Sequence, residues 1–164
     1  MLGLDAIAGR VHVTSAKALE TVSVCELPFE RLEELSQQIP GLQHHLLSLM
    51  SEELQHEHCH LTVLARAPVE SRLANFLCQL SDRFRARGYS ATDFNLSMSR
   101  TDIANLLGMA VETISRLFSQ LQEQELLQVE RKHVQILDLP GLQALASRCN
   151  PDTRGESELN RRKH

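Results

Sequence analysis

Ser99-Arg100-Thr101-Asp102-Ile103-Ala104-Asn105-Leu106-Leu107-Gly108-Met109-Ala110-Val111-Glu112-Thr113-Ile114-Ser115-Arg116-Leu117-Phe118 decides how this chain is read. It reads as two short helices joined by a tight turn. Ser99 suits an N-cap, and Asp102 three residues on completes a capping-box-like pair. Ile103, Ala104 and Leu107 form one apolar face. Small Ala104 lets a second helix approach closely, and Gly108 stands where the first helix must stop in a left-handed conformation. The second helix turns Ile114, Leu117 and Leu121 inward, while Glu112, Ser115 and Arg116 share the outer face at i, i+3 and i+4. One acceptor, one hydroxyl and one guanidinium on an exposed face suit the edges of bases in a major groove. A charged helix face alone is more often merely solvated. The joint placement of Ala104, Gly108, Ile114 and Leu117 behind a capping signal makes this a helix-turn-helix, with Glu112, Ser115 and Arg116 as candidate base contacts.

The flanks extend it. Leu126–Val129 and His133–Leu137 alternate as two strands joined through Glu130-Arg131-Lys132, a hairpin whose cationic tip suits a phosphate. Phe94, Leu96 and Met98 alternate as a short strand leading into Ser99. The whole predicts a winged helix-turn-helix over residues 63–147. Before it, Pro68–Phe84 reads as a helix with Val69, Leu73, Phe76, Leu77, Leu80 and Phe84 inward and Arg72, Arg83 and Arg85 outward. Cys78 within it reads as a packing residue. Pro140 opens a last short helix through Leu142 and Leu145, and residues 148–164 read as a disordered polar tail.

Residues 29–62 read as a connector and a long helix from about Leu42, carrying two apolar tracks. Leu42, Leu46 and Leu49 form one. Leu47, Met50, Leu54 and Leu61 form the other, spaced like a coiled-coil seam, so a second copy of the chain is the expected partner. Glu57 falls inside that seam, where two copies would meet in a parallel dimer, which predicts a weakened dimer. His56-Glu57-His58-Cys59-His60 formally matches H-E-x-x-H, which would make a zinc hydrolase the enzymatic alternative. No recognisable third ligand follows and Glu57 lies on the seam, so a solvated helix with no functional metal is the expectation. Residues 1–28 alternate around Val11, Val13, Leu19, Val22 and Val24, and read as remnant strands of a β domain. The fold class expected is therefore mainly α with a small β part.

Charge and composition agree with a binder of selected DNA rather than of any polyanion. The net charge of −4 is unevenly spread: residues 1–62 hold three Lys/Arg against nine Asp/Glu, and the remainder fourteen against twelve. Only the second part tolerates phosphate. Four scattered cysteines without a C-x-x-C pair fit a reducing compartment, and with no apolar membrane-length run the expected location is the cytoplasm.

Three stretches, the last of them inside the helix-turn-helix, carry a resemblance: Cys25-Glu26-Leu27-Pro28-Phe29-Glu30, Glu70-Ser71-Arg72-Leu73-Ala74-Asn75-Phe76, and Val111-Glu112-Thr113-Ile114-Ser115-Arg116-Leu117. From about Val22 to Ala146 the chain resembles the C-terminal part of CRP/FNR superfamily transcription regulators, in the oxygen-responsive branch of fumarate and nitrate reduction regulators and their Anr-type relatives. The resemblance implies a homodimer joined by the long helix through Leu47, Met50, Leu54, Glu57 and Leu61. It implies a palindrome of half-sites TTGAT spaced as TTGAT-N4-ATCAA, Glu112 accepting from cytosine, Arg116 donating to guanine and Ser115 approaching thymine. Ser99, Arg100 and Thr113 would be phosphate or positioning contacts, Lys132 at the hairpin tip is the further candidate for the DNA backbone, and RNA polymerase would be a further partner. Ala110 departs from the Ser or Thr N-cap of many relatives. Those relatives hold a [4Fe–4S] cluster on four cysteines, of which Cys25 matches one. This sequence is therefore expected to carry no cofactor and to have lost oxygen sensing. The alternative within the same resemblance is an interaction partner that heterodimerises with an intact relative.

Overall fold

A computed structural model describes residues 3–147. Leu2, Cys149 and the expected disordered tail from 148 lie outside the described residues. The chain divides into two compact units, Met1–His60 and Leu61–His164, with the division inside one long helix.

In the first unit a one-turn helix α1 (Ala6–Gly9) is followed by chain without regular structure as far as Pro28, then by α2 (Phe29–Gln38). The remnant strands expected over residues 1–28 do not form among the described residues. Val11, Val13, Leu19, Val22 and Val24 are all exposed. Alternation makes a strand only where a neighbouring strand accepts its hydrogen bonds and covers its apolar face, and no described segment pairs with this one. The long helix α3 (Pro40–Arg66) starts at the Pro-Gly pair, with proline at its first position, where a missing N–H costs nothing. Neither α2 nor α3 contains a buried residue. Leu47, Leu54 and Leu61, three residues of the second apolar track of α3, are each about 60% exposed.

The second unit holds the core. Ala67 closes α3 by donating its N–H to the Val63 carbonyl, and Pro68 caps α4 (Val69–Ala86). Leu73, Ala74 and Leu77 of α4 are fully buried, and the helix packs most extensively on α7 (Leu139–Ala146) through Leu142 and Leu145. Val69, placed inward from sequence, is exposed, because it stands in the first turn, ahead of the contact. Gly88 at φ 79° ends the segment after α4. Strand β1 (Asp93–Asn95) then joins β2 (Leu127–Glu130) and β3 (His133–Ile136) in an antiparallel sheet of order β1-β3-β2. Phe94 sits opposite Val134 and Leu127 opposite Ile136, and all four are buried. Phe84 stacks on Phe94 with ring centroids 4.9 Å apart, tying the end of α4 to the sheet.

Between β1 and β2 lie α5 (Arg100–Leu107) and α6 (Val111–Glu123). The α7 N-cap is Asp138, whose carboxylate accepts from the Gly141 N–H at 2.9 Å. A side chain at Gly141 would run into that carboxylate and into Leu126, so the turn admits no larger residue without undoing its cap. The β2–β3 turn is Arg131-Lys132, with Arg131 at φ 55°.

Candidate nucleic-acid interface

The α5–α6 pair is fixed at each end by local chemistry. Ser99 and Asp102 form the full capping box: the Asp102 N–H donates to Ser99 Oγ at 3.1 Å, and the Ser99 N–H donates to Asp102 Oδ2 at 2.8 Å. The Ser99 hydroxyl also donates to Asp102 Oδ2 at 2.6 Å, so its proton is committed to the cap. At the other end Gly108 takes φ 63°, ψ 46°, and the Met109 N–H returns to the Ala104 carbonyl at 2.9 Å. Only glycine enters that left-handed turn without strain. Ile103, Ala104 and Leu107 face Ile114, Leu117 and Phe118 across the turn, and all are buried.

With its inner face buried, α6 presents the opposite face to solvent. Glu112, Ser115 and Arg116 are all exposed there. Among the described residues neither Glu112 nor Arg116 makes a hydrogen bond or an ion pair, so both heads are free to meet a partner. Ser115 differs: its hydroxyl donates to the Val111 carbonyl at 3.0 Å, which leaves it an acceptor toward any ligand. A shallow hollow along this face is bounded by Ser115, Arg116, Ser119, Gln120 and Glu123. No side chain caps the α6 N-terminus at Ala110. The first-turn N–H groups, with Thr113 half-buried beside them, are thus left without an N-cap side chain.

Two arginines do what spacing did not reveal. Arg72 is not simply outward: its Nε donates to the Ala67 carbonyl at 3.0 Å and its Nη1 to the Leu107 carbonyl at 3.4 Å, joining the start of α4 to the end of α5. Arg100 lies with its guanidinium carbon 3.4 Å from the centroid of the Phe118 ring. Its Nη1 is buried with no hydrogen-bond partner, and burial pulls its pKa below the ordinary arginine value. Sequence reasoning missed both because their partners lie far along the chain or on another helix. A second anchor, also unread, is the Gln120 amide donating to Glu70 at 2.9 Å, which holds α6 to α4.

At the wing, the Leu96 N–H donates to the Lys132 carbonyl at 2.8 Å, while the side chains of Arg131 and Lys132 are exposed at the tip. His133 Nε2 lies 2.8 Å from Asp93 Oδ1 across β1 and β3, so that histidine is engaged at the sheet.

The candidate metal ligands are not assembled. Among the described residues no group of three His, Cys, Asp or Glu is placed to hold a metal ion. His56 and His58 are exposed and His60 half-buried on α3. Cys25 and Cys59 are exposed, and Cys78 is half-buried in α4, its thiol pushed up to about 11 by burial and by nearby Asp82.

Known proteins agree with this arrangement. Residues 71–145 match the Crp-like helix-turn-helix domain. The chain is 49% identical over 146 residues to the transcriptional activator protein Anr of Pseudomonas protegens, covering 89% of this chain and 60% of that protein. It is 44% identical, over 89% of its own length and 58% of the relative's, to the fumarate and nitrate reduction regulatory protein of Vibrio cholerae. Among solved structures, FixK2 from Bradyrhizobium japonicum superposes with a TM-score of 0.65 at 29% identity, covering 71% of this chain and 57% of that one. The chain thus spans about 60% of the length of these curated relatives, which are regulators and not enzymes. Among the described residues no helix is long and apolar enough to cross a membrane.

Proposed function

Because the chain belongs to the CRP/FNR family of transcription regulators, we propose that it binds a TTGAT-N4-ATCAA-like palindrome as a homodimer and regulates anaerobic promoters. The observation that carries this reading is the α6 face, on which Glu112 and Arg116 stand exposed over a fully buried opposite side. On it Arg116 donates to guanine O6 and N7, Glu112 accepts from cytosine N4, and Ser115 lies toward thymine. Thr113, the uncapped first turn of α6, the capped Ser99 corner and Lys132 at the wing meet the backbone. Arg100 is assigned differently below. Dimerisation runs through Leu47, Met50, Leu54, Glu57 and Leu61 on α3, whose exposed leucines support a second copy as the cover. RNA polymerase is the further partner carried over from the family.

Fluorescence anisotropy of a TTGAT-N4-ATCAA duplex against a scrambled one, over a salt series, tests the reading. The expected result is preference for the palindrome at a stoichiometry of two chains per duplex, with a steep salt slope from phosphate contacts. Equal weak binding to both duplexes sinks it. We further propose that these residues do not sense oxygen through a cluster, since the donors at hand do not converge. Anaerobic incubation with iron and sulfide is expected to leave no stoichiometric cluster absorption, and a stable cubane band refutes this part.

A further inference from the structure

Arg100 is the first residue of α5, where the helix dipole places partial positive charge and a cation is disfavoured. Something must hold it there. The structure supplies the face of Phe118, with the guanidinium lying 3.4 Å above the ring centroid. Phe118 is itself buried on α6, two residues from Arg116, so the stack ties the start of α5 directly to the helix that carries the base contacts. The planar guanidinium suits this geometry in a way an ammonium does not.

The same placement takes one of the three guanidinium nitrogens out of reach of a phosphate, while the residue as a whole is half-buried. Nη1 has no solvent access and no hydrogen-bond partner. A phosphate oxygen reaches it only if the whole head lifts off the ring, giving up the stack. We infer that Arg100 is a positioning residue: it fixes the orientation of α6 through Phe118 and acts on base discrimination through that helix instead of neutralising a phosphate. This rests on the reading of α6 as the recognition helix.

Three variants of the full chain separate the roles, each checked for folding by thermal unfolding. Arg100→Lys keeps the charge and loses the plane, Arg100→Met keeps an apolar cover over the ring and loses the charge, and Phe118→Leu keeps a buried apolar side chain and removes the ring. Preference for TTGAT-N4-ATCAA over single-base variants of it is expected to fall about tenfold in Arg100→Lys and in Phe118→Leu, the loss of one stacked contact. The double variant is expected to fall no further than either alone, since both remove the same contact. Arg100→Met is expected to leave the salt slope unchanged. Overturning results are equally definite. A slope flattened by about one per contact in Arg100→Met, with binding restored by Lys, makes Arg100 a phosphate contact. Additive losses in the double variant, or a coupled loss of unfolding temperature with base preference intact, reject the positioning role. If the unaltered chain shows no preference between palindrome and scrambled duplex, the recognition reading itself falls, and the positioning role falls with it.

Discussion

Arg116→Ala is expected to weaken binding to the palindrome by about 1–3 kcal/mol per half-site and to relax the preference at the guanine. In a dimer both half-sites lose the contact, so the full effect on a symmetric duplex is about twice that. The cause is chemical. A guanidinium presents two parallel donors in the spacing of O6 and N7, and no other side chain on the α6 face can replace them. Because Arg116 is free among the described residues, removing it breaks no internal bond, and folding should be untouched. Competition binding with duplexes substituted base by base measures the outcome. The penalty should appear for the guanine-containing duplex and vanish when that base is replaced, with the salt slope unaltered. A loss equal for every duplex, with a flatter slope, would instead place Arg116 on the backbone.

Ile114→Ala is the corresponding prediction for stability. Ile114 is fully buried on α6, in the same core cluster as Ile103 and Ala104 of α5. Truncating a large aliphatic side chain at such a site costs about 2–5 kcal/mol, from lost transfer energy and from the cavity left behind. Small domains have about 5–15 kcal/mol in total. The second unit should therefore lose a large part of its margin, with a fall in unfolding temperature of about 10 °C or more. Calorimetry or circular dichroism checks this. A loss below about 1 kcal/mol would mean that α6 is held chiefly by Phe118, Leu121 and the Gln120–Glu70 bond.

The two predictions rest on parts of the chain that were legible to different degrees. The helix-turn-helix was readable because its determinants are local: Ser99 and Asp102 lie three residues apart, and Gly108 follows directly on Leu107. The wing was readable for the same reason, since its two strands are joined by two residues. Residues 1–28 misled because alternation is a local signal and strand formation is not. Val11 and Val13 repeat with the period of a strand, yet no described partner pairs with them. The arginines misled in another way. Arg72 and Arg100 have the spacing of outward residues, but Leu107 stands 35 positions from Arg72, and the ring under Arg100 belongs to another helix. Spacing along one helix carries no information about such contacts. The exposed face of Glu112, Ser115 and Arg116 followed from periodicity alone, whereas the use of the Ser115 proton within its own helix did not.

The left-handed backbone at Arg131 has a consequence for what can be optimised in this chain. A residue with a Cβ held at φ 55° costs about 1–2 kcal/mol that glycine would not. The hairpin therefore keeps a long cation at its apex against its own conformational preference. Under the proposed function that strain is the counterpart of electrostatic attraction to a polyanion, and the two cannot both be relieved. Selection for thermal endurance alone would drift this position toward glycine or asparagine and discharge the tip. Selection for occupancy of a promoter would hold it cationic, so the wing marks a point at which durability and affinity trade against each other.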